Sequence, residues 1–436
     1  MKKVKAVARS KSALVFLLLC IMVLILSPWA DAPTSTAPIA VVPDNIEPST
    51  YVAPVLDLEI SELTIEVAME EREFEELVAQ NEEFTLIHPD IHIELRRLDP
   101  EQAYSTYTQS SQLEEAADIM LVSNEWVIQF ASSGYLLPAD SAFAGKALAE
   151  QFDALTAPLK WNGILWGVPR DMDPFVLVWN QDLLNEWLGT NVAFPLTLEQ
   201  WSALADKSAQ SEDIVSWLAI DGTDPLALMA WLENASSQRS DGIWTADNDP
   251  WSGTLFEQAL LLLERSRPNV QFIESTQEAA RALNDRTALA AIMPYSEAAT
   301  LVEQPRSAPE PKLVIDHHSW KLPFVWPRGS CFVISSNTKS EEAASAWISE
   351  MTKDQMQLRI MEEEGKLPVY RSLYDSDRKL SNLIPGRTGQ GFPNQSPLYS
   401  GPEMSARLEY LRNLWTRFAL GSLSLEEWKQ EWSSNY

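Results

Sequence analysis

The chain has 436 residues, with 33 Lys and Arg against 62 Asp and Glu, for a net charge of −29. That balance excludes a default polyanion binder, because no basic surplus exists to neutralise phosphates. Two cysteines exclude a disulfide scaffold or a thiolate metal cluster, and 17 Trp argue against disorder and towards sites that use flat apolar faces.

Lys2, Lys3, Lys5, Arg9 and Lys11 surround the start of the chain, ahead of an unbroken apolar run over 13–26. The run is shorter than the ~20 residues of a spanning helix and suits the core of an export signal. Ala30-Asp31-Ala32 fits a small-x-small cleavage pattern, so residues 1–32 read as a signal peptide. Stretched from Ser12 to Ala30, the same segment reads as an uncleaved anchor. Either way the body faces the outside of the cell. Pro33, Pro38, Pro43, Pro48 and Pro54 break up a stretch with no helical or strand period, which makes 33–62 an extended linker.

From Leu63 the pattern becomes that of a folded body. Leu63, Ile65 and Val67 alternate with polar residues, a strand signal, and Phe74, Leu77 and Val78 then share a helical face. A second strand covers 91–95, Asp99-Pro100 is expected to open a helix, and a third strand covers 118–122 before a helix that stops at Gly134. Strand and helix alternating in this way predict a parallel sheet with covering helices. Such sheets place ligands at the carboxyl ends of their strands. That rule nominates Glu70 after the first strand, and Asn124 and Trp126 after the third.

A hairpin is expected over 161–169 with Asn162-Gly163 at its turn, then an apolar strand over 175–179. Asn180 opens a helix that Gly189 closes. Helices dominate 198–299, a strand-rich stretch covers 312–335, and helices fill most of the remainder.

These pieces, in this order, resemble the family 1 extracellular solute-binding proteins, the sugar receptors of ABC importers. The likeness is carried by Gly134-Tyr135-Leu136-Leu137-Pro138, by Trp166-Gly167-Val168-Pro169 and by Trp179-Asn180-Gln181-Asp182-Leu183. Pro195-Leu196-Thr197, Met293-Pro294-Tyr295 and Gly365-Lys366-Leu367-Pro368 extend it towards the C-terminus. The resemblance implies an α/β fold of two periplasmic-binding-protein-like lobes, with a ligand cleft between lobes joined by hinge segments. Lobe one would comprise 63–168 and 323–351, and lobe two 174–319 and 354–436. The crossings would lie near 170–173, 320–322 and 352.

Sugars present hydroxyls around an apolar ring face, so carboxylates, amides and aromatics are the side chains to look for. The resemblance places Asp173 at a ligand-contacting crossing and Tyr295 at a stacking position. Arg170 stands beside Asp173, although pairing with Asp171 would occupy it instead. Asp224 ends the polar turn Asp221-Gly222-Thr223, where it serves equally as a helix cap. Trp326 and Arg328 lie where the second strand-rich stretch re-enters lobe one. Leu408 stands where maltodextrin receptors of the family carry an aromatic, which puts maltodextrin specificity in doubt.

Catalytic patterns are missing. The sequence has no G-x-x-x-x-G-K-[ST], no G-x-S-x-G and no H-E-x-x-H, and Gly386–Gly391 reads as a loop. His88 and His92 straddle Pro89, and Asp247-Asn248-Asp249 runs into Pro250, so neither forms a metal motif. Cys331 reads as a buried small hydrophobe. The expected function is therefore a non-enzymatic receptor with no cofactor and no metal, monomeric and exported. Its partners would be a mono- or oligosaccharide and the permease subunits of an ABC importer, not nucleic acid. The alternatives are a secreted glycoside hydrolase and a ligand-sensing module for a signalling partner.

Overall fold

Among the described residues, twelve short strands carry the architecture. β1 (Ser61–Ala68), β2 (Ile91–Leu98) and β3 (Ile119–Ser123) lie in one sheet with β6 (Val168–Pro169) and β12 (Ser330–Ile334), ordered β2-β1-β3-β12-β6. A second sheet runs β11-β7-β10-β8-β9, from β7 (Phe175–Asn180), β8 (Leu218–Asp221), β9 (Val270–Ile273), β10 (Ala290–Pro294) and β11 (Leu313–Ile315). β4 (Lys160–Trp161) and β5 (Ile164–Leu165) form a separate hairpin. The computed structural model describes residues 60–143, 150–190, 192–212, 214–244, 249–304, 311–322, 324–383, 392–395 and 401–435. The export segment 1–32, all but the last residues of the linker 33–62, and the loop 386–391 lie outside the described residues. All described residues belong to one compact unit, Leu58–Tyr436.

The first sheet follows its pattern. Leu63, Ile65 and Val67 are buried on one face of β1, which pairs in parallel with β2 and β3. β3 sits between β1 and β12 and is apolar at every position from Ile119 to Val122, as a strand covered on both faces must be. The sheet is mixed, however: β12 arrives from late in the chain and runs antiparallel to β3 and β6.

In the second sheet, residue parity assigns the two faces. Phe175, Leu177 and Trp179 enter one core, while Val176 and Val178 enter another on the opposite side. The first of these cores holds an indole cluster. Trp201 stacks on Trp179 at 5.2 Å and meets Trp231 edge-on at 5.0 Å, and Trp217 lies 5.3 Å from Trp231. The expectation that the many Trp residues would serve binding sites is thereby corrected. Trp179, Trp201, Trp217, Trp231, Trp347 and Trp415 are all fully buried. An indole removes more apolar surface from water than most side chains, so packing claims it first.

Local signals act as anticipated where they are chemical. The Asn180 side chain accepts the Leu183 amide at 3.2 Å to cap the helix Gln181–Leu188, and Gly189 ends it at φ 87°. Thr197 and Gln200 form a reciprocal capping box for Leu198–Gln210. Other expectations shift. Asp99 holds the Glu101 amide at 3.0 Å in a turn, and the helix begins at Ala103. The hairpin turns at Asn162 and Gly163, both with positive φ, but ends at Leu165, because Val168 and Pro169 leave to pair with β12. Three strands stand in the stretch expected to be mostly helical: β8 and β9 have four residues each, too few to show a period, while β10 is the strand that the family likeness implies before Tyr295.

The chain passes between the sheets at 170–174 and before β12, and after the helix Glu341–Met351 it returns to the cores on either side of the second sheet. The second passage lies later than the 320–322 expected. Phe324 and Trp326 pack in the core beside β7, and only at Ser330 does the chain enter the first sheet.

Candidate functional site: the cleft between the sheets

The passage at 170–174 is a short extended segment in which alternate carboxylates fasten opposite sides. Asp171 accepts the Ser330 amide at 3.0 Å and its hydroxyl at 2.7 Å, at the start of β12 in the first sheet. Asp173 does the same to Ser296 beyond β10 in the second, accepting its amide at 2.9 Å and its hydroxyl at 2.8 Å. Spacing of two places the carboxylates in equivalent positions along an extended chain. The segment is held from behind as well: Met172 exchanges backbone hydrogen bonds with Leu367 at 2.9 and 2.8 Å.

A cleft of about 1160 Å³, its open mouth included, lies over this segment. Its first wall comes from the ends of β1 and β3, with Glu70, Glu73, Glu125 and Trp126. Its second wall comes from beyond β10 and from the start of the helix Pro225–Ser236, with Pro294, Ser296, Glu297 and Leu226. Asp171, Asp173, Arg328, Gly329 and Lys366 fill the base. Gly329 is required there, since a Cβ would stand 2.3 Å from the Asp171 carbonyl oxygen.

Of the nine residues nominated from sequence, Glu70, Trp126, Asp173 and Arg328 line this cleft. Trp126 is half-buried and meets Tyr104 edge-on at 5.2 Å. Arg328 lies 3.8 Å from Asp173 and covers the Phe175 ring at 5.1 Å. The other five sit behind the lining. Arg170 is 1% exposed, its guanidinium taken up by Asp171 at 2.8 Å and by Glu364. The pairing with Asp171 is thus a buried one. Asp224 accepts the Leu226 amide at 2.8 Å as the cap of its helix. The Trp326 indole is buried and donates to Glu125 at 3.0 Å. Asn124 is buried beneath Gly329, with both carboxamide atoms unpartnered among the described residues.

Tyr295 turns away from the cleft. Its amide donates to the Pro174 carbonyl at 2.9 Å, and its ring packs 5.2 Å from Trp320 in the core under β10. Leu408 is buried in the core beside the indole cluster.

Sequence reasoning missed Glu73, Glu125, Ser296, Glu297 and Lys366. Glu125 lies between the nominated Asn124 and Trp126, and Glu297 lies two residues after the nominated Tyr295, so the strand-exit rule reaches their neighbourhoods. Lys366 carried no such signal: it is brought in by the folded chain, 2.7 Å from Glu73 and 3.3 Å from Glu364.

The electrostatics divide the carboxyls. Burial would raise Asp171, but Lys366, Arg170 and the Ser330 hydrogen bonds outweigh it and hold it below the usual range. For Asp173, burial prevails over Arg328 and Ser296, and the carboxyl lies above its ordinary value. Glu125 is raised by burial too, against the opposing Trp326 hydrogen bond. A carboxyl raised in the folded state favours folding most at low pH, and that contribution fades as pH climbs through the folded value. Glu125→Gln keeps an acceptor for Trp326 and removes the buried charge. It should raise stability at pH 7 by about 1 kcal/mol, an advantage that closes as pH falls towards 4 in denaturant unfolding. A lower midpoint at pH 7 would contradict this account.

Two α/β lobes around a polar cleft at strand ends make a ligand-binding architecture. The family model for bacterial extracellular solute-binding proteins matches residues 79–382. The chain belongs to this family. Among solved structures, the solute-binding family fold recurs in the GacH receptor of Streptomyces glaucescens, at 18% identity and TM-score 0.66, covering 86% of this chain and 97% of that one. Maltose-bound MalE3 of T. maritima has 18% identity and TM-score 0.65 over 86% and 98% of the two chains. A solute-binding protein of Agrobacterium vitis with bound D-mannitol has 14% identity and TM-score 0.65 over 86% and 97%. No curated protein matches the solute-binding chain by sequence. These likenesses establish the two-lobed periplasmic-binding-protein-like fold. Among the described residues, no helix is long and apolar enough to cross a membrane.

Proposed function

We propose that this solute-binding protein captures a carbohydrate in the cleft and passes it, unaltered, to the permease subunits of an ABC importer. The observation that carries the reading is the cleft itself, walled by strand ends of both sheets and floored by the passage at 170–174. Closing two lobes about such a floor is a hinge motion around ligand. The walls offer carboxylates for hydroxyls and the flat face of Trp126 for a sugar ring. Carbohydrate as the solute class is supported by the acarbose, maltose and D-mannitol in the names of the similar structures. The charged and apolar segments of 1–32 support export, with the linker 33–62 holding the body away from the membrane. The protein acts as a monomer on this reading.

A thermal-shift screen across mono- and oligosaccharides tests the proposal, since ligand at 100 times its Kd adds ~2.7 kcal/mol to the folded state. Chromatography of the incubated sugar then separates a receptor from a hydrolase. Product in excess of one equivalent would favour the enzyme, and a screen without any shift would reject the carbohydrate. Among the described residues Trp126 is the aromatic that lines the cleft. Trp126→Ala should therefore weaken binding about tenfold, the value of one stacked ring with its buried area. Unchanged affinity in calorimetric titration would remove Trp126 from the site.

A further inference from the structure

Among the described residues, two cations line the cleft, Lys366 and Arg328, and the protein satisfies them unequally. Lys366 lies 2.7 Å from Glu73 and 3.3 Å from Glu364, so its ammonium is already paired. Arg328 differs. Among the described residues its guanidinium donates no hydrogen bond, and its ion pair with Asp173 Oδ2 is 3.8 Å long, too far for one. Both oxygens of Asp173 are taken besides, by the Ser296 amide at 2.9 Å and the Ser296 hydroxyl at 2.8 Å.

The surroundings fix Arg328 in place without giving it acceptors. Its guanidinium covers the Phe175 ring at 5.1 Å, and Phe175 is itself buried in the core of the indole cluster. Such stacking uses the flat face of the guanidinium and leaves its N–H edge free. The side chain stays 36% exposed, at the base of the cleft. Burial works against its charge, but Asp224, Asp173, Glu125 and Asp171 outweigh it and hold the guanidinium above its ordinary value. Arg328 therefore stays charged, with five planar N–H donors facing a cleft and no acceptor from the described residues. Half-buried donors of this kind are costly until a solute or water accepts from them.

The neighbours also select the acceptor. Glu125, Asp171 and Asp173 line the cleft beside Arg328, and Asp224 lies just behind. A carboxylate on the solute would accept from the guanidinium, but it would bring one more negative charge among these groups. It also has no proton to offer them. A hydroxyl accepts from the guanidinium and turns its own proton towards a carboxylate, so it suits both partners. The planar fork meets two acceptors at once, and hydroxyls on adjacent ring carbons supply two.

We infer that Arg328 sets the specificity of this cleft: it donates to two adjacent hydroxyls of an uncharged sugar and disfavours sugars that carry a carboxylate. The inference rests on the carbohydrate reading above, to which it adds the residue that reads the solute and the pair of groups that are read.

Calorimetric titration of the whole protein tests it. The tightest binder among glucose, galactose, mannose and maltose is compared with its monodeoxy analogues and with the same sugar oxidised to a uronate. Removing either hydroxyl of one adjacent pair should weaken binding about tenfold, the increment of a hydrogen bond to a charged group. The uronate should bind at least tenfold more weakly than its neutral parent. Arg328→Lys keeps the charge and loses the fork, so it should weaken the neutral sugar about tenfold with an unfolding midpoint near the parent's. In that variant, loss of one of the two hydroxyls should cost less than about twofold more, because the bond it made is already gone. Deoxy penalties that stay unchanged in Arg328→Lys would assign Arg328 to wall support, overturning the inference and leaving the carbohydrate reading intact. A uronate that binds as tightly as its neutral parent would do the same, and that comparison needs no variant. Absence of binding by all four neutral sugars would overturn the carbohydrate reading and this inference together.

Discussion

Arg170→Met should be the most damaging substitution in the base of the cleft, costing about 3–5 kcal/mol of unfolding free energy at neutral pH. Arg170 is 1% exposed and donates to Asp171 at 2.8 Å and to Glu364 at 2.9 Å. Glu364 is the last residue of the helix Asp354–Glu364 and its side chain is buried too, so the guanidinium joins chain segments 194 residues apart. Methionine fills similar volume but takes from two buried carboxylates the cation that is hydrogen-bonded to both. Lys366 and Ser330 still reach them, which keeps the loss near that range and not beyond it. Lysine supplies charge without the planar fork that meets two carboxylates at once, so Arg170→Lys should fall between parent and Met variant.

The pH dependence gives this prediction its sign. For Glu364, burial is outweighed by Arg170 and Lys366, so its carboxyl, like that of Asp171, is held below the ordinary value. A depressed folded value contributes stability that is present above the unfolded value near ~4 and is lost as pH falls through the folded value. In the Met variant much of that depression disappears. The stability gap between parent and variant should therefore be widest at neutral pH and narrow below about pH 4. Denaturant midpoints across pH measure it directly. A gap that stays constant with pH would mean that Arg170 acts through packing and not through charge.

What the sequence made legible was local or periodic. β1, β2 and β3 show their alternation or apolar continuity, and Asn180 and Gly189 mark both ends of one helix by chemistry that acts within four residues. Strand exits pointed to the walls of the cleft, and Glu70 and Trp126 were found in this way. Contacts made across long separations stayed hidden. Nothing near Arg170 announces Glu364, and nothing near Lys366 announces Glu73, because charge pairing of distant segments leaves no period. Asp171 was readable only as a partner of Arg170, whereas the fold buries both and adds Ser330. Trp326 was misplaced for a related reason. A flat aromatic beside Pro327 at a chain passage looks the same whether it faces ligand or, as here, lies behind the lining and donates to the Glu125 carboxylate of the first wall.

Tyr295 shows how little a strand exit by itself decides, and its substitution should bear that out. The residue follows β10 directly, where sheet geometry allows a ring to point up into the cleft or back beneath the sheet. Here the Pro174 carbonyl captures its amide, and the ring goes under, against Trp320 and within the core that also holds Val176 and Met293. Burial pushes its phenol up to about 12, with Glu303 and Asp173 adding to the effect. Truncating a buried aromatic removes its transfer free energy and leaves a cavity, so Tyr295→Ala should cost about 3–5 kcal/mol in denaturant unfolding. Tyr295→Phe keeps the ring and its volume. Among the described residues the hydroxyl has no hydrogen bond assigned to it, so Phe should change stability little. Solute affinity, measured by titration well below the unfolding transition, should stay within about threefold of the parent for both variants, because neither alters the lining. A tenfold loss of affinity in Tyr295→Phe, with stability intact, would instead return the phenol to the ligand and require the wall beyond β10 to be redrawn around it.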